Sequence, residues 1–507
     1  MEKSVIAPVS LIVSAFAPVR DARATLTPVL QLDERPTSLW LIDLAGGRNR
    51  LGGSALAQVY GELGDEPADL DEPLRLTQLA SALGELRSHG LLRAYHDRSD
   101  GGLFATLVEM AFAGHCGLDI ALPAGRGPAL AQLFAEEPGV VVQIMALDEP
   151  AFLAILARHG LGDAALYLGA PVSERQVQIR VGETLFDESL MELRRAWSET
   201  SWRMRRLRDN PECADEEYAA HHSDGQPRLE VALSFDPEED IAAPYIARGA
   251  RPAVAILREQ GVNSQTETAA VFDASGFAAH DIHMTDLLSG ARDLAQFHGL
   301  VACGGFSYGD VLGAGEGWAK SILFHGAVRE QFEGFFAREG SFALGLCNGC
   351  QMLAALKSII PGTAHWPRFV RNRSEQYEAR LSLVEVLPSP SVLLAGMAGS
   401  VLPVAVAHGE GRAEFVSDAA ARECAASGLV GVRYIRAAGE VASSYPANPS
   451  GTPFGIAALS NLDGRVTIIM PHPERSFRYL QNSWRPAGAG EYSGWMRLFR
   501  NARRFIG

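Results

Sequence analysis

Cys347 lies in Gly345-Leu346-Cys347-Asn348-Gly349, a Gly-x-nucleophile-x-Gly pattern. The apolar run Phe342 to Leu346 precedes it, and Cys350 to Lys357 reads as a helix. Small residues two places either side let a strand turn sharply into a helix, so the thiol stands on a strained turn. The helix N-terminus lowers the thiol pKa and offers backbone N–H groups to an oxyanion. The competing reading is a buried core cysteine behind a glycine-bounded strand. Cys350, one helical turn further on, reads as structural.

A thiol nucleophile needs a base. Among 13 histidines, His472 is set apart by its context. Val466 to Met470 reads as a buried strand, followed by Pro471-His472-Pro473-Glu474. The prolines fix the backbone around the imidazole, and Glu474 can accept from the ring and hold its tautomer. An exposed histidine at a proline-rich strand exit is the plainer alternative. A third element, Cys303-Gly304-Gly305-Phe306-Ser307-Tyr308-Gly309-Asp310, follows another strand. Glycines permit positive φ and close approach, so a loop N–H here can complete an oxyanion hole with the Asn348 amide. Otherwise it is an ordinary strand–helix loop.

The elements that position these groups alternate regularly from residue 251. Strands are expected at 253–257, 280–284, 299–303 and 342–346, with helices at 264–275 and 316–336. Such alternation predicts a doubly wound, mostly parallel sheet with ligands at the carboxyl ends of its strands. Earlier, strands are expected at 9–17, 37–44, 139–146 and 179–186, with helices at 54–63, 74–92 and 102–114. This first α/β unit ends near residue 190. Residues 191–250, with Arg203, Arg205, Arg206 and Arg208 and then a run of acids, read as a connector. Leu229 to Phe235 alternates like a strand. In the last helix Trp495, Leu498, Phe499 and Ala502 make an apolar stripe. Arg497, Arg500, Arg503 and Arg504 are expected to form its solvated basic face.

The first unit holds two Gly-rich helix entries, Leu51-Gly52-Gly53-Ser54-Ala55 and Tyr95-His96-Asp97-Arg98-Ser99-Asp100-Gly101-Gly102. Carboxylates there suit a hard cation, and a serine with helix N–H groups suits phosphate. Asp, Ser and Gly before a helix are also ordinary capping residues.

Bulk properties set bounds. A chain of 507 residues needs two or three domains. Its net charge of −15 argues against a nucleic-acid partner while leaving room for a local phosphate pocket. Six cysteines are too few for a disulfide scaffold, and no second Cys-x-x-Cys accompanies Cys347 and Cys350 to hold zinc. No apolar run reaches the ~20 residues of a membrane helix. Residues 4–19 superficially resemble a signal peptide, but Pro8 breaks the run and Leu11-Ile12-Val13 suits a strand. A reducing cytoplasm is the expected compartment.

The strand–Gly-x-Cys-x-Gly, Gly-Gly loop and His-Pro-Glu elements resemble class I (triad) glutamine amidotransferases. Longer stretches are more specific: Leu257 to Asn263, Gly304 to Lys320, Cys347 to Gln351, Trp366 to Asn372 and His408 to Arg412. Together they resemble the large single-chain phosphoribosylformylglycinamidine (FGAM) synthases of purine biosynthesis. The resemblance implies a glutaminase triad of Cys347, His472 and Glu474. It implies an ATP-binding, aminoimidazole-ribotide-synthetase-type second repeat, represented by its C-terminal half, over 1–190. A connector follows over 191–250, and a class I glutaminase over 251–507. Asp97 would ligate Mg²⁺ and Ser99 would contact ATP or a retained ADP, with no organic prosthetic group. Glutamine and formylglycinamide ribonucleotide would be substrates. The family's chain is more than twice as long, so N-terminal synthetase domains would be partners; nucleic acid and membrane would not. The alternatives are a fragment that binds nucleotide or partner domains without catalysis, and another triad-type cysteine amidotransferase or hydrolase.

Overall fold

The structure, a computed structural model, describes residues 12–19, 21, 24–32, 35–221, 229–311, 313–437 and 439–507. The chain divides into two compact units, Met1–Trp197 and Ser198–Gly507.

The first unit is built on seven strands: β1 (Thr37–Asp43), β2 (Leu92–Asp97), β3 (Gly117–Leu122), β4 (Gly139–Met145), β5 (Ala165–Val172), β6 (Gln176–Val181) and β7 (Thr184–Ser189). Their order is β2-β4-β1-β5-β3-β6-β7. Only β3 and β6 run parallel. Strand side chains alternate between faces, and the two cores follow that alternation. Leu39, Leu41 and Val141 join one core with Leu103, Leu107 and Met110 of the helix Gly102–Gly114. Trp40, Ile42 and Val142 join the other with Leu79 and Leu86 of Leu74–Ser88 and Phe152 and Ile155 of Glu149–Arg158.

Several expectations change here. The helix expected over 74–92 stops at Ser88, where Gly90 at φ +68° turns the chain into β2. The strand expected at 179–186 is the β6–β7 hairpin, turned at Gly182 with φ +59°. Within 9–17, residues 9–11 lie outside the described residues. Residues 12–17 form no strand, and Ile12, Val13 and Phe16 are exposed. An apolar run becomes a strand only beside a partner ladder.

The second unit carries β8 (Ala253–Arg258), β9 (Ala278–His283), β10 (Gly299–Ala302), β11 (Phe342–Leu346), β12 (Arg368–Val370), β13 (Glu378–Val386), β14 (Val401–His408), β15 (Arg412–Glu414), β16 (Val430–Ala437), β17 (Glu440–Val441), β18 (Ile456–Ser460) and β19 (Val466–Ile469). The large sheet runs β14-β13-β16-β18-β19-β11-β10-β8-β9, with β17 on β16, while β12 and β15 pair separately. It is parallel only from β19 to β9. From β18 to β14 it is antiparallel, so the sheet is mixed rather than mostly parallel. Parallel neighbours need long crossovers, and between β13 and β19 only one α-helix, Asp418–Ala426, intervenes.

The connector is more ordered than its composition implies. Leu190–Arg208 and Pro211–Ala220 are helices, the second capped by the Asn210 side chain accepting from Cys213 N–H at 3.0 Å with Pro211 at its first turn. Leu229 to Phe235 makes only one bridge, Ala232 to Val401. The final helix, Met496–Ile506, overturns the solvated basic face. Arg497 and Arg500 are 9% exposed and Arg503 is fully buried; of the four only Arg504 faces solvent. Arg497 meets Glu239 at 2.8 Å, Arg500 meets Asp240 at 3.2 Å, and Arg503 donates to the carbonyls of Tyr245 and Ala250 at 3.1 and 2.9 Å. The arginines are covered because the acidic connector lies across them.

Candidate active site

β11 runs between β10 and β19, and its ladder continues one residue beyond the strand: Cys347 N–H donates to Ile469 O at 2.9 Å. The chain then breaks. Cys347 sits at φ +48°, ψ −105°, and the helix Asn348–Ala355 begins at the next residue. A side chain held at positive φ is strained, and such strain clusters at functional sites. The flanking glycines are required by space. A Cβ on Gly349 would stand 2.0 Å from Ala302 O at the end of β10, and one on Gly345 would stand 2.7 Å from Gly349 O.

The exit of β19 brings the second element to the same place. His472 N–H donates to Ala405 O at 2.8 Å, and the ring is almost fully buried. Nδ1 lies 2.5 Å from Glu474 Oε1, a carboxylate that is itself buried. The carboxylate can only accept, so Nδ1 carries the proton and Nε2 is left as the free position. Nε2 has no protein partner, and neither does Glu474 Oε2. Burial works against the charged imidazole, but the Glu474 carboxylate and the Cys347 thiolate outweigh it and raise the ring to about 10.

His472 and Cys347 both crowd the bare face of Gly304. A Cβ there would lie 2.7 Å from His472 Cε1 and 3.3 Å from Cys347 Cβ. Its N–H is already taken by Ser264 Oγ at 2.7 Å. Of the two loop glycines, Gly305 at φ +154° is therefore the candidate donor to a ligand. The Cys347 thiol is 4% exposed and points toward Ala407 O at 3.6 Å. Cys350 is fully buried, and its thiol is pushed well up by burial and by Cys347. It is poorly suited to attack.

Sequence reasoning assigned no role to several side chains around this turn. Asn348 is fully buried; its Oδ1 accepts from Ser307 N–H at 3.0 Å. Its Nδ2 donates to Asp310 Oδ1 at 3.1 Å and Gln351 Oε1 at 2.8 Å. Burial and Glu410 raise Asp310 to about 6. His408 is buried beside Asn372, with Nδ1 3.1 Å from its Oδ1. Burial, then the neighbouring His472, lower His408 to about 3, so it stays neutral. Asp310, His408 and Glu410 all lie in the long family-like stretches, which was the one available signal.

The Asp97 loop is different. Asp97 is exposed at the end of β2, with Oδ1 accepting from Tyr95 Oη at 2.5 Å, and Ser99 is exposed. Arg98 between them points inward, donating to Asp43 at 2.7 Å and to Glu137 O at 2.5 Å. The helix entry is already capped: Glu136 Oε1 accepts from Gly101 N–H at 2.9 Å and from Ala55 N–H at 2.8 Å. One carboxylate thus holds the entries of both Gly-rich loops, where phosphate was expected. Among the described residues no cluster of three or more His, Cys, Asp or Glu forms a metal site. The expected ligands Asp97 and Ser99 stand exposed and by themselves do not enclose a Mg²⁺-nucleotide. No helix among the described residues is long and apolar enough to cross a membrane.

Comparison with known proteins matches two stretches of the chain. The family profile of the CobB/CobQ-like glutamine amidotransferase domain matches residues 251–506, half of the chain. That of the AIR synthase related protein, C-terminal domain, matches residues 40–181. Among solved structures, PurLQS from Thermotoga maritima aligns at 21% identity and TM-score 0.38, covering 51% of this chain and 100% of that one. PurL of T. maritima complexed with ATP aligns at 13% and TM-score 0.27, covering 34% of this chain. This chain spans 27% of that PurL. A GMP synthase subunit from Thermoplasma acidophilum aligns at 12% and TM-score 0.30, covering 51% of this chain and 94% of that one. The family matches carry the assignment: the chain belongs to the CobB/CobQ-like glutamine amidotransferase family, with an AIR-synthase-related domain in its first half.

Proposed function

We propose that Cys347, His472 and Glu474 hydrolyse glutamine, and that the ammonia serves ATP-dependent conversion of formylglycinamide ribonucleotide to FGAM. The Cys347 thiolate attacks the carboxamide carbon of glutamine. The N–H groups of Asn348 and Gly305 receive the oxyanion. His472, holding the thiol proton on Nε2 as the imidazolium of a thiolate–imidazolium pair, delivers it to the leaving nitrogen, releasing ammonia and a glutamyl thioester. Water, deprotonated by the same nitrogen, then releases glutamate. Glu474 holds the tautomer and stabilises the imidazolium.

The division of labour follows the expected domains: synthesis over 1–190 with N-terminal synthetase domains, connection over 191–250, and glutamine hydrolysis over 251–507. Asp97 and Ser99 contribute to a Mg²⁺-nucleotide whose remaining ligands come from those partner domains. When bound, that group would supply phosphate for activating the acceptor. The compartment is the cytoplasm, where thiols such as the six free cysteines stay reduced.

The observation that carries this reading is the buried His472–Glu474 pair at 2.5 Å, with His472 and Cys347 both packed against the bare face of Gly304. Its test is glutamate release from glutamine by this chain, compared with Cys347→Ala. Release that survives the substitution overturns it.

A further inference from the structure

Asn348 has a backbone role in the proposed chemistry, but its side chain is also committed, and to the opposite partner. The loop after β10 carries Tyr308 at φ +54°, Gly309 at +62° and Asp310 at +52°. Three successive left-handed residues do not hold that shape by themselves, since each non-glycine costs roughly 1–2 kcal/mol. Backbone bonds tie the loop to its outer neighbours: Phe306 N–H to Gly261 O and Tyr308 N–H to Gln260 O, both at 2.9 Å. Its inner ties run to one side chain, Asn348, through Ser307 N–H at 3.0 Å and the Asp310 carboxylate at 3.1 Å. Asn348 is the first residue of the helix behind the thiol and is completely buried. Gln351, one turn on, fixes the same amide at 2.8 Å and itself donates to Glu410 O at 2.6 Å.

Resting on the glutaminase reading above, we infer that the Asn348 side chain is a positioning residue. It clamps the Gly305 loop to the Cys347 turn, so that the N–H groups of Gly305 and Asn348 stay aimed at one oxyanion. The two donors come from different strand exits, β10 and β11. Their separation is set by whatever spans those exits, and Asn348 spans them with both ends of its amide. Its orientation is forced: Oδ1 faces a donor that cannot accept, and Nδ2 faces a carboxylate. An oxyanion donor misplaced by about 1 Å loses most of its effect.

The test exchanges the donor and acceptor. In Asn348→Asp, a carboxylate faces Asp310, the loop is repelled, and kcat for glutamine is expected to fall about 10²-fold. KM should change much less. Asp310→Asn alone keeps an acceptor, its amide oxygen, and should be mild. The double variant Asn348→Asp/Asp310→Asn restores the pair with roles reversed and should recover most of the lost kcat. Alkylation of Cys347 by iodoacetamide, which needs no oxyanion hole, should stay near the parent rate in all three. Loss of kcat that the double variant does not restore, with alkylation intact, overturns the clamp. Loss of alkylation together with kcat in Asn348→Asp would also overturn it, because the side chain would then support the turn as a whole. If the parent chain releases no glutamate while Cys347 alkylates normally, the glutaminase reading fails and not the clamp alone.

Discussion

The Cys347 turn and the Asp97 loop are both strand–glycine–helix junctions, yet their helix N-termini meet different company. The helix Asn348–Ala355 opens at the residue after Cys347, and the Asn348 side chain accepts from Ser307 N–H beside that turn. At the Asp97 loop the carboxylate of Glu136 sits on the entering N–H of Gly101 and also caps Ala55. A helix N-terminus attracts an anion. In the first case the proposed chemistry uses the place for a developing oxyanion; in the second the protein supplies the anion itself. The surroundings differ in the same sense. Cys347, His472 and Glu474 are buried, whereas Asp97 and Ser99 are exposed, and no cluster of three or more His, Cys, Asp or Glu forms among the described residues. On the proposed reading, one unit contains the parts of its chemistry and the other contributes to a site it does not complete.

The largest expected effect lies at the nucleophile. Cys347→Ala should lower glutamine hydrolysis by about 10³-fold or more, the usual cost of losing a covalent nucleophile. Nucleotide binding at the first unit should not change. Cys350→Ala should retain most activity, because that thiol is buried and held protonated. Equal inactivation of both variants, measured as glutamate release, would break the comparison at its stronger half.

Next come the glycines, where the two junctions separate sharply. A Cβ on Gly349 meets Ala302 O at 2.0 Å, so Gly349→Ala must displace β10 or the helix. Hydrolysis should fall at least about 10²-fold, with a lower Tm for the second unit. Gly53, at φ +71° with nothing within 4 Å, has only conformational strain to lose. Gly53→Ala should cost about 1 kcal/mol, read by thermal unfolding. Comparable losses in the two variants would mean the elbow is no tighter than an ordinary turn.

Glu136 tests the weaker half. Glu136→Ala removes the cap from two helix entries at once, and about 1–2 kcal/mol of first-unit stability should go with it. Glutamine hydrolysis should be unaffected. An unchanged first-unit Tm would show that water caps those amides equally well.

These contrasts explain what could be read from the residues alone. The elbow was legible because its determinants are local: two glycines, a cysteine and an apolar strand within a few residues. The helix Gly102–Gly114 and strand Phe342–Leu346 were found at their observed bounds for the same reason. The capping carboxylate was not legible, because it comes from 35 residues away. The engaged N–H of Gly304 was hidden likewise, since Ser264 lies 40 residues earlier. The antiparallel half of the large sheet escaped because its strands carry no helices to announce them. Arg503 read as surface because charge usually is, and the carbonyls of Tyr245, Ala250 and Gly507 make its burial tolerable.

A smaller effect is expected from pH. Asp310 has a folded pKa of about 6, raised from 3.8 by burial and Glu410. The folded state therefore binds the proton more tightly than the unfolded one. Stability of the second unit should fall as pH rises from about 4 to 6, since the unfolded chain ionises first. Besides Glu410, the groups facing this carboxyl are the Asn348 amide and the Gly315 N–H, both of which favour its charged form. Asp310→Asn should flatten that slope in urea titrations at pH 4.5 and 6.5, values about half a unit inside and outside the window. A slope that persists unchanged would assign it to other carboxyls.

The smallest effect on the thiol, none at all, is expected from Asp97→Asn. Its carboxylate is exposed and bonded only to Tyr95 Oη, so replacing it by an amide removes charge without opening a cavity. Folding should be unchanged, because surface substitutions of this kind stay within about ±0.5 kcal/mol. The rate of Cys347 alkylation should equal that of the parent. What should weaken is Mg²⁺-nucleotide retention in the assembly with the synthetase domains, because an amide is a poorer ligand for a hard cation. The measurement is nucleotide content after gel filtration in Mg²⁺, with Ser99→Ala alongside. If both variants retain nucleotide like the parent, Asp97 and Ser99 are turn residues, and the first unit's contribution to the site must come from elsewhere in its surface.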